Sequence, residues 1–212
     1  VCHTDTVHEI KDAGIQVFRS RAGNYFAYTE KDSVLEPAGI GGDDKCGIIA
    51  CIELLHRLKV VKCVFFVNEE SPASCEGSRL GNLEFFDNGR FAIQIDRKGS
   101  SDIIINGSGT ELCSQEFIDN LIKPLGAVYQ YATTTGMNTD VVALKKRGLG
   151  IACVNLSAGY YNPHAKNEYI NERDFLNCLE FCLALGRIKT VYPHVYREPV
   201  KSVAPITKSR VN

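Results

Sequence analysis

Short apolar runs of strand length alternate with helical patterns along most of this chain. Residues 15–20 (IQVFRS) and 25–30 (YFAYTE), separated by Arg21-Ala22-Gly23-Asn24, read as a hairpin. A glycine-rich loop, Gly39 to Gly42, leads into Asp43-Asp44, which are placed to cap a helix through 45–59 (KCGIIACIELLHRLK). The run 60–68 (VVKCVFFVN), apolar but for Lys62 and Asn68, predicts a central strand covered on both faces.

Residues 77–86 read as a short helix, 91–97 (FAIQIDR) and 102–106 (DIIIN) as strands, and 114–126 as a helix ended by Pro124 and Gly126. Beyond these come a strand at 128–133, a helix at 139–148 closed by Gly148, and a buried strand at 151–157. A loop, 158–170 (AGYYNPHAKNEYI), precedes the last helix at 172–188. Strands alternating with helices predict an α/β fold, an open and mostly parallel sheet with helices on both faces. Sites in such sheets lie at the carboxyl ends of the strands. Residues 1–192 are expected to form a single α/β domain, and 193–212, with Pro193, Pro199 and Pro205, a tail that is a surface strap or disordered. The chain opens at Val1-Cys2-His3, inside what reads as a buried strand, so an N-terminal segment upstream is expected.

Composition narrows the partners. A net charge of −1, no basic stripe and no apolar stretch of membrane-spanning length leave no general attraction to nucleic acid or to a bilayer. Oligomerisation is not indicated. The nine cysteines, an odd number scattered through apolar runs without a CxxC pair, read as buried free thiols rather than a disulfide framework or a zinc knuckle. A reducing, cytoplasmic setting follows as the expectation.

Five polar clusters each follow an apolar strand: His3-Thr4-Asp5, Gly42-Asp43-Asp44-Lys45, Asn68-Glu69-Glu70, Asp96-Arg97-Lys98 and Asn162-Pro163-His164. Singly, each has an ordinary structural explanation: a satisfied core histidine, a helix cap, an exposed acidic pair, a turn, a surface loop. Together they place imidazoles and carboxylates at successive strand ends, which is costly unless something compensates their charge. Two divalent cations, held about 3.5–4 Å apart as in dinuclear sites, would do so.

HTDTV, GGDDKCG, NEES, an Asp after the next strand, and PHAKNEYI, in that order, resemble the co-catalytic zinc aminopeptidase and exopeptidase superfamily, which includes tripeptidase T and the carboxypeptidase and deacylase branch. The resemblance runs from residue 3 to about 187. It implies a three-layer αβα, phosphorylase/hydrolase-like architecture and two Zn²⁺ ions, with Co²⁺ or Mn²⁺ also accommodated. By the same resemblance His3, Asp43, Glu70, Asp96 and His164 are the metal ligands, Asp43 bridging both ions. Glu69 is the general base for a water activated between the ions, and Asp5 orients the His3 imidazole. Two further residues are weaker substrate candidates. Asp140, in Thr139-Asp140, would anchor a substrate ammonium or only begin a helix, and Glu168 matches an acidic position after the family's histidine and would contact substrate or only hold its loop.

The chain departs from many relatives between Asp96 and His164. Only 67 residues (97–163) lie there, and the predicted strands and helices use all of them, so no lid domain is expected. Lid residues grip the substrate carboxylate in tripeptidase-like relatives, so the resemblance favours a compact aminopeptidase. An amidohydrolase or carboxypeptidase acting on N-acylated amino acids or peptides, and a non-catalytic remnant of the fold, stay open as alternatives. A single-zinc glutaminyl-cyclase-like transferase is a more distant one.

Overall fold

A computed structural model describes residues 1–8, 14–70 and 74–198. Its strands in chain order are β1 (Cys2–His3), β2 (Ile15–Arg19), β3 (Asn24–Lys31), β4 (Val34–Ala38), β5 (Phe65–Phe66), β6 (Ala92–Arg97), β7 (Asp102–Gly107), β8 (Thr110–Glu111), β9 (Ala132–Gly136), β10 (Cys153–Ser157), β11 (Tyr160–Tyr161) and β12 (Tyr169–Asn171). The helices are α1 (Gly42–Arg57), α2 (Glu76–Leu80), α3 (Gln115–Phe117), α4 (Lys123–Val128), α5 (Asp140–Lys146) and α6 (Glu172–Gly186). No helix among the described residues is long and apolar enough to cross a membrane.

The central sheet is mixed, with parallel pairs outnumbering antiparallel ones, which agrees with the mostly parallel α/β sheet expected. β10 runs parallel to β6 and antiparallel to β7, and β9 runs parallel to β7 along its other edge. β1 joins β6 through Val1 N–H to Ile93 O (2.7 Å) and Ile95 N–H to Val1 O (3.2 Å), and β5 pairs in parallel with β1. β5, β1, β6 and β10 therefore all end at the same edge.

Period-2 alternation then divides the side chains between the two faces. Ile95, Ile103 and Val154 pack with α1 and α6 residues such as Ala50, Leu54 and Phe181, while Ala92, Ile104 and Cys153 pack with Val141, Val142 and Leu144 of α5. All nine cysteines are free thiols and eight are buried, matching their apolar sequence settings. Residues 97–163 hold β7 to β11 with α3, α4 and α5, joined by short connections.

Four expectations need correction. The run 60–68 is not a central strand. Only Phe65–Phe66 pairs, with the two-residue β1, and Phe65 and Val67 are 40% and 54% exposed. Pro124 does not end its helix. Residues 118–122 form a π turn between α3 and α4, and the proline sits in the first turn of the renewed helix, where its missing N–H costs nothing. The expected strand 128–133 begins only at Ala132, because Tyr129 stacks on Phe181 (5.2 Å) and the Tyr131 hydroxyl donates to Ser157 O (2.7 Å). The 158–170 loop contributes β11, which pairs with β12. β12 then joins the hairpin and the unforeseen β4 in a second, antiparallel sheet.

The start of the tail is a strap. Tyr192 N–H donates to Arg90 O (2.9 Å), Ala152 N–H to Tyr192 O (2.8 Å), and His194 N–H to Gly150 O (2.9 Å). Residues 199–212 of the expected tail lie outside the described residues. Lys145, fully buried in α5, pins this corner by donating to the carbonyls of Leu149 (2.8 Å), Ile151 (3.0 Å) and His194. Replacing it with methionine keeps the stem and strands three acceptors, so Lys145→Met is expected to lower unfolding stability by on the order of 3 kcal/mol, read by urea denaturation. A change under about 0.5 kcal/mol, as at ordinary surface sites, would show that this corner is not structurally important.

Candidate metal centre

The coincident ends of β1, β5 and β6 bring three polar segments together, and the loops before α1 and after β11 close over them. His3 ends β1 and is fully buried. Its Nδ1 lies 3.0 Å from the Asp5 carbonyl oxygen and its Nε2 3.0 Å from Asp43 Oδ1 and 3.6 Å from Asp96 Oδ1. A proton on Nδ1, donated to that carbonyl, leaves the Nε2 lone pair facing the two carboxylates, the tautomer a metal ligand needs. The Asp5 carbonyl is thus the closer partner of the ring, with the Asp5 carboxylate at 3.5 Å. That carboxylate accepts instead from Glu69 N–H (3.1 Å) and Glu70 N–H (3.0 Å), so Asp5 ties β1 to the acidic pair after β5.

Asp43 and Asp44, joined by a cis peptide, divide two tasks. Asp44 Oδ1 accepts from Gly47 N–H (2.9 Å), which caps the regular part of α1, and its Oδ2 accepts from His3 N–H (3.2 Å). Asp43 points both oxygens into the site, Oδ1 at His3 and Oδ2 at His164 Nε2 (3.3 Å). Gly42 is required just before them, because a Cβ there would sit 2.7 Å from the Tyr160 Cβ. Buried Glu168 holds the loop by accepting from Gly41 N–H (2.7 Å) and Asp43 N–H (3.0 Å), with His8 Nε2 2.7 Å away. Its carboxylate is fully engaged there, and the arrangement fits the loop-holding role.

Asp96 ends β6. Its Oδ2 accepts from Gln94 Nε2 (2.9 Å), its Oδ1 from the Tyr160 hydroxyl (3.2 Å), and its backbone is held by Asn155. His164, half exposed in the loop, lies 3.0 Å from Glu70 Oε1. The five residues expected as ligands are therefore brought together, in two sets that share Asp43, while a third set joins His3 to Glu69 and Glu70. His3, Asp43 and Asp96 offer donor atoms within 4.8 Å of one another, and so do Asp43, Glu70 and His164. A tetrahedral zinc with bonds near 2.0–2.1 Å spaces its ligand atoms about 3.3 Å apart, and the 3.0–3.6 Å separations here fit that spacing.

Electrostatics support the same reading. Burial raises the Asp96, Asp44 and Glu70 carboxyls above their ordinary values and pushes Glu69 up to about 7. His3 is raised as well, against its burial: burial would depress it, but hydrogen bonds with Asp43 and Asp96 more than reverse that. Surroundings that hold a proton on a buried histidine also favour a metal cation.

Asp140 starts α5, fully buried, with neither carboxylate oxygen hydrogen-bonded among the described residues, and burial pushes its carboxyl up to about 6. The Ser78 hydroxyl is close enough to moderate that rise but is committed to Cys75 O (3.0 Å).

Several supporting residues escaped the sequence reading. Gln94, also fully buried, links Asp96 to α5 by accepting from Val141 N–H (2.9 Å). Its signal was a polar residue two before the strand-end aspartate, hence on the same face. Asn155 and His8 carried no comparable signal, since their partners lie 59 and 160 positions away, and Cys75, six residues after Glu69, sits in no pattern that marks it.

No protein-family model matches this sequence, and no curated protein does. Solved structures do share its fold. Over 87% of this chain and 78% of that one, it superposes on aminopeptidase PepT from Bacillus cereus ATCC 10987 with a TM-score of 0.64 and 13% identity. A tripeptidase from Staphylococcus aureus subsp. aureus Mu50 matches over 88% and 80% with a TM-score of 0.60 and 14% identity. An aminopeptidase from the archaeon Desulfurococcus kamchatkensis matches over 84% of this chain, which spans about half of that protein (52%), with a TM-score of 0.59 and 17% identity.

Proposed function

We propose that this chain is a metal-dependent exopeptidase, an aminopeptidase that uses two zinc ions and Glu69 as general base. The observation that carries this reading is Asp43, whose two oxygens face two different sets of a histidine and a carboxylate. His3, Asp43 and Asp96 would hold one ion, and Asp43, Glu70 and His164 the other. When bound, the ions lower the pKa of a water and polarise the scissile carbonyl. The likeness in fold to aminopeptidases and a tripeptidase supports the same class of reaction.

Glu69 fits the base. Glu69 and Glu70 both reach the neighbourhood of His3, but Glu70 also shares a set with Asp43 and His164, so Glu70 can serve a cation while Glu69 takes a proton and later delivers it to the leaving amine. Partial burial and a raised carboxyl pKa suit a group that must both accept and release. Asp5 orients the pair through its two backbone hydrogen bonds. Asp140, the weaker candidate for a substrate ammonium, is fully buried and would act so only if the cover over its carboxylate opened.

Metal analysis combined with a substrate panel tests the proposal. Two zinc ions per chain and hydrolysis of free-amine aminoacyl anilides, with N-acylated analogues spared, is the expected result. Preference for the N-acylated substrates would replace it with a deacylase. Fewer than one metal per chain, with no turnover, would make the chain a remnant of the fold.

A further inference from the structure

Cys75 lies beside Glu69 and is a residue the proposed chemistry does not use. Cys75 is fully buried and precedes α2 with a φ of 63°. Its N–H donates to the Glu69 carbonyl (2.8 Å) and its Sγ to Glu69 Oε1 (3.3 Å). A thiol is a weak donor free to rotate about its Cβ–Sγ bond. Here Asn138 Nδ2 donates to the sulfur (3.4 Å), which occupies the sulfur as an acceptor and leaves its proton for Glu69. The chain Asn138 N–H···S–H···Oε1 thus grips one carboxylate oxygen of Glu69, while the backbone contact grips its peptide.

We infer that Cys75 is a positioning residue for Glu69, fixing one carboxylate oxygen through its S–H so that the side chain keeps a single rotamer for proton transfer. The inference rests on Glu69 being the base. A glutamate carries three side-chain torsions, and a base must stay within hydrogen-bond reach of the proton it takes. The thiol supplies this hold without adding a charge that would compete with the cations or with Glu70. Cys75 does not touch substrate in this scheme and acts only through Glu69.

The test compares Cys75→Ala, Cys75→Ser and Asn138→Ala with the wild type and Glu69→Gln, measuring kcat, KM, bound zinc and the infrared S–H stretch of the metal-free protein. Cys75→Ala is expected to lower kcat about 10-fold with KM and zinc content unchanged, the size of effect a misplaced base produces. Cys75→Ser, which keeps a donor, should recover to within about 3-fold of wild type. Asn138 is exposed, so Asn138→Ala should fold and show a smaller loss of kcat in the same direction even if Cys75→Ala does not fold.

The difference spectrum between wild type and Cys75→Ala isolates the Cys75 S–H band. That band should move to higher frequency in Glu69→Gln, where a charged acceptor becomes neutral. An unmoved band would overturn the inference, as would equal losses in the Ala and Ser variants or a loss that appears in KM or zinc content. An active wild type with an unaffected Cys75→Ala sinks this role alone. A wild type inert on every peptide removes the peptidase reading and this role with it.

Discussion

Asp43→Ala is expected to take bound zinc from two ions per chain to fewer than one, because a single substitution removes a ligand from both sets. Neither set keeps enough donors: His3 and Asp96 remain on one side, Glu70 and His164 on the other. Catalytic zinc sites hold their ion with three protein ligands, and two flexible ones bind poorly. Losing the ions forfeits several kcal/mol of charge stabilisation, which at 1.36 kcal/mol per decade means turnover falling by ~10³-fold or more. Elemental analysis after dialysis, paired with an anilide assay, reads both. Retention of two zinc ions by Asp43→Ala would show that the bridge lies elsewhere. Asp44→Ala provides the contrast: its carboxylate caps α1 and holds the His3 backbone, so the expected damage is to stability first and zinc second.

Glu69→Gln is expected to leave two zinc ions in place while lowering kcat by about 10²- to 10⁴-fold, the range for removing a general acid–base group. The substitution preserves size and the acceptor for Cys75 but abolishes proton uptake. Its neighbour separates the roles. Glu70→Gln should lose zinc along with activity, since Glu70 Oε1 shares its set with His164 and Asp43. Undiminished turnover in Glu69→Gln would eliminate the mechanism. Loss of zinc in that variant would instead make Glu69 a ligand, an outcome its place beside His3 and Glu70 makes worth measuring.

The difference between what was legible and what was not follows from the range of each interaction. Strand and helix patterns depend on neighbours two to four residues away, so the α/β alternation, the hairpin and the helices beginning near Asp43, Asp140 and Glu172 could be read directly. The run at 60–68 misled because strong apolarity marks β structure and says nothing of which strands flank it. Likewise the π turn that accommodates Pro124 is a response to packing beneath it, with Ile118, Leu121 and Ile122 buried in the core.

At the site the same boundary holds. The ligand types, their order and their placement after strands were carried by the sequence, because carboxylates and imidazoles at successive strand ends form a pattern visible along the chain. Tertiary structure alone decided that Asp43 aims one oxygen at each histidine, that Asp5 works through its carbonyl on His3 and its carboxylate on Glu69 and Glu70, and that Glu168 is committed to the α1 loop. Apart from the Asp5–His3 contact, those outcomes join residues from 40 to 127 positions apart, where no local periodicity reaches. They are set by which atoms meet when parallel strands β5, β1 and β6 end at one edge.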